Sequence, residues 1–257
     1  MADVLTAWVT RQGIALPPNC GICGSRGFVI EQRRSLMAPP YCSCEWGMRA
    51  RRRDDIDRST MLLEVHRARR EALARKLVLP AQHQRFTLET HPLANRQEQG
   101  HKMYVDVLSW LAHWDWRRGL ILLGGYGIGK TGLVCGVLQR LVERAVTEGW
   151  EMRFITSLGL VRRIQSGYGD DTAAATIDEY SRVHLLALDD LGAERTTNDR
   201  QELLLQILDH RHRESLPLVA TTNLNADELR AHLTERVYWR LFETCDFVTV
   251  EGRNLRA

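Results

Sequence analysis

The octapeptide Gly124-Gly-Tyr-Gly-Ile-Gly-Lys-Thr131 constrains this chain more than any other stretch. It fits the pattern G-x-x-x-x-G-K-[ST] and follows the apolar run Leu120, Ile121, Leu122, Leu123. That run reads as a short buried strand. After it, Leu133, Val134, Val137, Leu138, Leu141 and Val142 recur at helical spacing, so the glycines lie where a strand turns into a helix. Glycines let backbone N–H groups converge on phosphate oxygens, and the following helix N-terminus adds a favourable dipole. The residues expected to cradle phosphate are Gly124, Gly125, Tyr126, Gly127, Ile128, Gly129, Lys130, Thr131 and Gly132. Lys130 would reach the β and γ phosphates of ATP, and the Thr131 hydroxyl would hold Mg²⁺.

Beyond this loop, strand and helix patterns alternate. Met152 to Thr156 reads as a strand, Leu158 to Gln165 and Ala173 to Arg182 as helices. Val183-His-Leu-Leu-Ala-Leu-Asp-Asp190 then reads as a buried strand ending in two carboxylates, a Walker B pattern. Lodged beside the phosphate-loop strand, it would let Asp189 hold Mg²⁺ through water and Asp190 orient the attacking water. Many ATPases carry Glu where this chain has Asp190, and the shorter arm positions water differently, so slow turnover is expected. Arg200 to Arg213 reads as an amphipathic helix, and Leu218 to Asn223 as a strand with a polar tip. Asn223 can hydrogen-bond the attacking water or a γ-phosphate oxygen; alternatively it caps the helix that starts near Asp227. Leu233 to Phe242 reads as a helix with Arg236 and Arg240 on one face, and Asp246 to Val250 closes the sheet. Ahead of the loop, His101 to Trp116 reads as a helix whose Tyr104, Val105, Leu108, Leu111 and Trp114 can face the core. Its tryptophans Trp110, Trp114 and Trp116 read as packing rather than as base-stacking groups.

The N-terminal third is different in kind. Cys20-Gly-Ile-Cys23 and Cys42-Ser-Cys44 are two close pairs separated by eighteen residues, set among Gly, Pro, Arg and Ser. Such thiolates can converge tetrahedrally on one Zn²⁺, and four protein ligands make a structural rather than a catalytic site. Residues Glu45 to Leu79 favour helix, with a sparse apolar stripe of Ile56, Leu62, Leu63 and Leu77, ending at Pro80. Between Glu45 and Lys76, ten Lys or Arg stand against six Asp or Glu, a local balance of +4 beside a net +3 for the whole chain. The Arg49 to Arg53 cluster permits contact with a phosphate backbone, although a solvated helix face is the plainer reading. With no run of about 18 apolar residues and no secretion signal at Met1 to Arg11, a cytoplasmic protein without membrane contact is expected. The expected layout is a zinc-binding module over 1–45, a basic helical linker over 46–80 and an α/β core over 81–257.

From about Ala81 to Ala257 the residues resemble the DnaC and DnaI helicase loaders and their IstB transposition-helper relatives, a compact branch of the AAA+ ATPases. The likeness rests on the phosphate loop, Leu-Asp-Asp-Leu-Gly-Ala-Glu194, Thr-Thr-Asn223, Glu-Arg-Val-Tyr-Trp-Arg-Leu241 and Gly252-Arg-Asn-Leu-Arg256. The Cys20 to Cys44 stretch also resembles the zinc-bearing N-terminal domain of DnaI-type loaders. The resemblance implies a P-loop NTPase core with a five-stranded parallel sheet between helices and no C-terminal lid domain. It implies that Asn223 is sensor 1, that Arg240 is the arginine finger entering a neighbouring subunit (with Arg236 as runner-up), and that Arg256 is sensor 2. It implies a homo-oligomer formed on ATP or client binding, a replicative DnaB-type helicase as client, and contact with single-stranded DNA, for which Arg162, Arg163 and Tyr168 are candidates. The IstB relatives imply another client, a transposase targeted to duplex DNA. A kinase or metabolic P-loop enzyme fits less well, since no small-substrate site is recognisable.

Overall fold

The computed structural model of the protein describes residues 45–85, 87–95, 99–169, 172–193 and 198–250. The cysteines Cys20, Cys23, Cys42 and Cys44, and also Glu194 and Arg256, lie outside the described residues, so the zinc and sensor 2 expectations are not addressed there. The chain divides into two compact units between Arg67 and Ala68. In the first, helix α1 (Glu45–Lys76) begins, and three of the four residues of the expected apolar stripe are not buried: Ile56, Leu62 and Leu63 are 58, 64 and 71% exposed, whereas Leu77, beyond the helix end, is buried.

The second unit is built on one parallel sheet. The strands are β1 (Gly119–Gly124), β2 (Met152–Thr156), β3 (Leu185–Asp189), β4 (Leu218–Thr222) and β5 (Cys245–Val250), in the order β2-β3-β4-β1-β5. Helices α2 (Gln99–Ala112), α3 (Lys130–Glu148), α4 (Ser157–Ser166), α5 (Thr172–Arg182), α6 (Asn198–Arg213), α7 (Ala226–His232) and α8 (Glu235–Thr244) complete it. The pleat of β1 shows why its sequence is apolar throughout. Leu120 and Leu122 join one core with α3 residues such as Leu133, Val137 and Leu138, while Ile121 and Leu123 join another with Leu160, Leu204 and Leu241. A strand covered on both faces has no solvent side on which to place polar residues. The last turns of α1 contribute Leu73 to the first of these cores, followed by Leu77 and Leu79.

Two expectations need correction. The acid-tipped strand β3 does not lie beside β1; β4 runs between them, pairing with both. Helix α2 stops at Ala112, short of Trp116, which adopts a left-handed φ of 67°. Trp114 is nevertheless buried, and Trp110, Trp114, Trp116 and Trp150 pack successively as tilted pairs at centroid distances of 4.7, 4.2 and 4.5 Å, with Arg144 3.9 Å over Trp116. These rings pack against the first core. No helix among the described residues is long and apolar enough to cross a membrane.

One buried cation ties the end of α5 to the residues that lead into β3 and β4. Arg211 is 2% exposed and donates to the carbonyls of Tyr180 (3.1 Å), Ser181 (3.3 Å), Val183 (2.8 Å) and Pro217 (2.5 Å). Burial pushes its pKa down to about 9, which leaves it cationic at neutral pH. Arg211→Leu, which strands these carbonyls, is expected to lower unfolding free energy by about 3 to 5 kcal/mol, measured by urea denaturation.

Candidate functional site

The parallel sheet aligns the carboxyl ends of β1, β3 and β4, and the chemistry-bearing residues collect there. The phosphate loop leaves β1 at Gly124 and enters α3 at Lys130, with Gly129 as its N-cap at a φ of 95°, a conformation that only glycine adopts without strain. Lys130 is 5% exposed. Its Nζ donates to the carbonyls of Gly124 (2.7 Å) and Gly125 (2.7 Å) and to Asn223 Oδ1 (2.8 Å). Burial lowers its pKa to about 8, against the opposing pull of Asp190 and Asp189.

Asp189 is also buried, at 5% exposure. Its Oδ1 accepts from Thr131 Oγ1 (2.9 Å) and from Thr221 Oγ1 (2.6 Å), so the intervening strand β4 supplies the bridge between β3 and the phosphate loop. Desolvation raises the Asp189 pKa, and the hydroxyls, which favour the charged form, oppose it. A hydroxyl and a desolvated carboxylate side by side form an oxygen-only donor set of the kind that suits Mg²⁺. Asp190 follows in left-handed conformation (φ 54°), its N–H donating to Thr221 Oγ1 (3.0 Å) and its Oδ1 accepting from Asn223 Nδ2 (3.0 Å). Asn223 therefore joins Lys130 to Asp190. It does not cap α7; Asn225 does, with Glu228 completing a capping box.

These groups face a cleft of about 400 Å³ lined by Tyr126, Gly127, Ile128, Gly129, Lys130, Thr131, Gly132, Asp190 and Asn223, and also by Gln82, His83, His91 and Pro92. Thr221 and His91 carried no role in the sequence reading. For Thr221 a signal exists, since two consecutive hydroxyls end the otherwise apolar run Leu218-Val-Ala and both are fully buried. His91 stands far from the loop in sequence and offers none.

The remaining expected site residues lie elsewhere. Arg240 Nε is 2.7 Å from Asp209 Oδ1, and the Arg240 guanidinium donates to His212 Nδ1 (2.8 Å), whose Nε2 faces Glu243 Oε2 (3.1 Å). Arg236 reaches the other Asp209 oxygen at 3.0 Å and is the more open side chain, 64% exposed against 26% for Arg240. Of the DNA candidates, Arg163 is engaged with Glu179 (3.4 Å) and Tyr180 Oη (3.3 Å), while Arg162 and Tyr168 are exposed. Thr221→Val keeps the shape but removes the hydroxyl shared by Asp189 and Asp190. It is expected to cost about 1 to 3 kcal/mol of stability in chemical denaturation.

The chain is similar to known proteins. The replicative helicase loader DnaI of Bacillus subtilis is 30% identical over 118 residues, covering 46% of this chain and 37% of that protein. The proposed ATP-binding protein of insertion sequence IS1162 from Pseudomonas fluorescens is 26% identical over 118 residues, 45% of this chain and 49% of that protein. The chain thus spans less than half the length of either relative. Among solved structures, DnaI superposes with a TM-score of 0.58 at 24% identity, covering 68% of this chain and 96% of that one. The DnaC helicase loader gives 0.58 at 20% identity, over 67% and 100%. These likenesses show that the core shares the fold of those structures. The IstB-like ATP binding protein family model matches residues 55–257, and the chain belongs to that family.

Proposed function

We propose that this chain is an ATP-dependent loader of a replicative hexameric DNA helicase that assembles with copies of itself and contacts single-stranded DNA. The observation that carries the reading is the pair of linked contacts at the cleft, Lys130 through Asn223 to Asp190 and Thr131 to Asp189. A cation over the loop, a hydroxyl and carboxylate beside it, and a second carboxylate oriented by an amide suit phosphoryl transfer to water. ATP is the substrate. Loop N–H groups and Lys130 bind its phosphates, and Lys130 exchanges the Gly124 and Gly125 carbonyls for phosphate oxygens. Thr131 and Asp189 are the residues that would hold Mg²⁺, which neutralises charge on the β and γ phosphate oxygens when bound. Asp190 takes the proton of the attacking water, and Asn223 fixes its carboxylate. Arg240 supplies the trans cation once it leaves Asp209 for a neighbouring copy. A finger of this kind is worth about 10³ to 10⁵ in rate, so an isolated copy is expected to be a poor ATPase. Arg256 is proposed to complete the site as sensor 2, and Cys20, Cys23, Cys42 and Cys44 to hold a structural Zn²⁺ in a docking module.

The helicase client is supported by the likeness to DnaI and DnaC. The family model and the insertion-sequence relative favour a second client, a transposase delivered to duplex DNA. Co-elution with the host's replicative helicase in ATP, using wild type beside Lys130→Ala and Arg240→Ala, separates them. A retained complex, with turnover stimulated by single-stranded DNA and lost in both variants, is the expected result. ATP-dependent assembly on duplex DNA without helicase binding would select the transposase reading.

The depressed Lys130 pKa adds a proton-linkage test. Phosphates favour the ammonium form, so nucleotide binding above pH 8 is expected to take up a fraction of a proton at Lys130, and progressively less as pH falls below it. Calorimetry in two buffers of different ionisation enthalpy measures this uptake. Lys130→Ala should abolish it.

A further inference from the structure

Helices α6 and α8 meet through charged side chains set at helical spacing. On α8, Arg236 and Arg240 stand four residues apart, and on α6, Asp209 and His212 stand three apart, so each pair occupies one face of its helix. The two oxygens of the Asp209 carboxylate are divided between the arginines. Arg236 Nη2 donates to Oδ2 at 3.0 Å, and Arg240 Nε lies 2.7 Å from Oδ1. Arg240 Nη1 also donates to His212 Nδ1 at 2.8 Å, since a guanidinium carries no acceptor, and His212 Nε2 lies 3.1 Å from Glu243 Oε2.

The α6 side of this cluster is anchored. Arg211, between Asp209 and His212, is buried and donates to four backbone carbonyls, which fixes the turn that carries the carboxylate. The α8 side is held more loosely. Asp209 Oδ1 is a buried atom that accepts no aligned hydrogen bond, so charge rather than a directed bond keeps Arg240 beside it. A partly buried carboxylate left without any partner would oppose the departure of Arg240. Arg236 removes that obstacle, because it remains on Oδ2 when Arg240 leaves. Phosphate oxygens suit the planar fork of an arginine as well as a carboxylate does, and they carry more negative charge.

We propose that Asp209 is a positioning residue that acts through Arg240, holding it within its own copy until the nucleotide phosphate of a neighbouring copy takes the carboxylate's place, and that Arg236 stays behind as the counter-ion that permits release. The inference rests on reading Arg240 as the cation supplied in trans. Only the released form completes a neighbour's site, so the hold weakens apparent self-activation in proportion to the fraction released.

The test is steady-state ATP hydrolysis by the full chain over a range of protein concentration, with the concentration that gives half-maximal turnover per copy as the readout. Asp209→Asn keeps the shape without the charge and is expected to lower that concentration about threefold or more. Asp209→Glu restores the charge and is expected to stay within about twofold of wild type. Arg236→Ala leaves Asp209 wholly to Arg240 and is expected to raise the concentration about threefold or more, with no effect in the Asp209→Asn background. It reads the same hold without altering Asp209, and urea denaturation of each variant identifies any loss that comes from unfolding. An unchanged or higher half-maximal concentration in folded Asp209→Asn, or an equal loss from Arg236→Ala in both backgrounds, would overturn the hold while leaving Arg240 as the trans cation. Wild-type turnover per copy that does not rise with protein concentration, or that survives Arg240→Ala, would overturn the trans-cation reading, and the hold with it.

Discussion

The cleft depends on one desolvated carboxylate. Asp189 sits at the end of β3 with a single oxygen accepting from Thr131 on the phosphate loop and Thr221 on β4. Removing a carboxylate from water costs several kcal/mol, and the two hydroxyls offset only part of that cost. The raised Asp189 pKa expresses the remainder. Such a group gains most from a nearby cation, and the geometry offers the Thr131 hydroxyl as its co-ligand. Three separate segments thus converge on one oxygen, so loop, acid strand and polar-tipped strand hold their relative positions before any nucleotide arrives.

A second tie runs parallel to the first. Lys130 is held by two loop carbonyls and by Asn223, and Asn223 holds Asp190. Both charged partners therefore contact the same amide, the lysine at its oxygen and the carboxylate at its nitrogen. An amide can serve both only in one orientation, so the arrangement links the state of the phosphate-binding cation to the carboxylate proposed to handle water. The arginines of α8 show a comparable restraint on Asp209, which the proposed assembly would exchange for phosphate.

Much of this was legible in the sequence because the relevant signals are local. The loop glycines, Lys130 and Thr131 are contiguous, and runs of four apolar residues mark β1 and β3. Asp189 and Asp190 were marked by two acids ending such a run. What was not legible is non-local. Nothing in the run of β3 says that β4 separates it from β1, so the role of Thr221 as bridge emerged only from the strand order. His91 has no periodic or motif context at all, and it lines the cleft only because the segment before the sheet is brought there by the fold. The helix ending in tryptophans was overextended because apolar spacing continues past Ala112, while the left-handed turn at Trp116 is set by packing among the rings.

The central claim is that Thr131 and Asp189 are a prepared divalent-cation pair beside a phosphate site. Its most direct test is the Mg²⁺ dependence of ATP affinity, measured by equilibrium titration of the wild type and of Asp189→Asn with and without the metal. The account requires Mg²⁺ to tighten binding about tenfold or more in the wild type and to have little effect in the variant. Affinity that is indifferent to Mg²⁺ in the wild type, or an equal Mg²⁺ gain in Asp189→Asn, would contradict it.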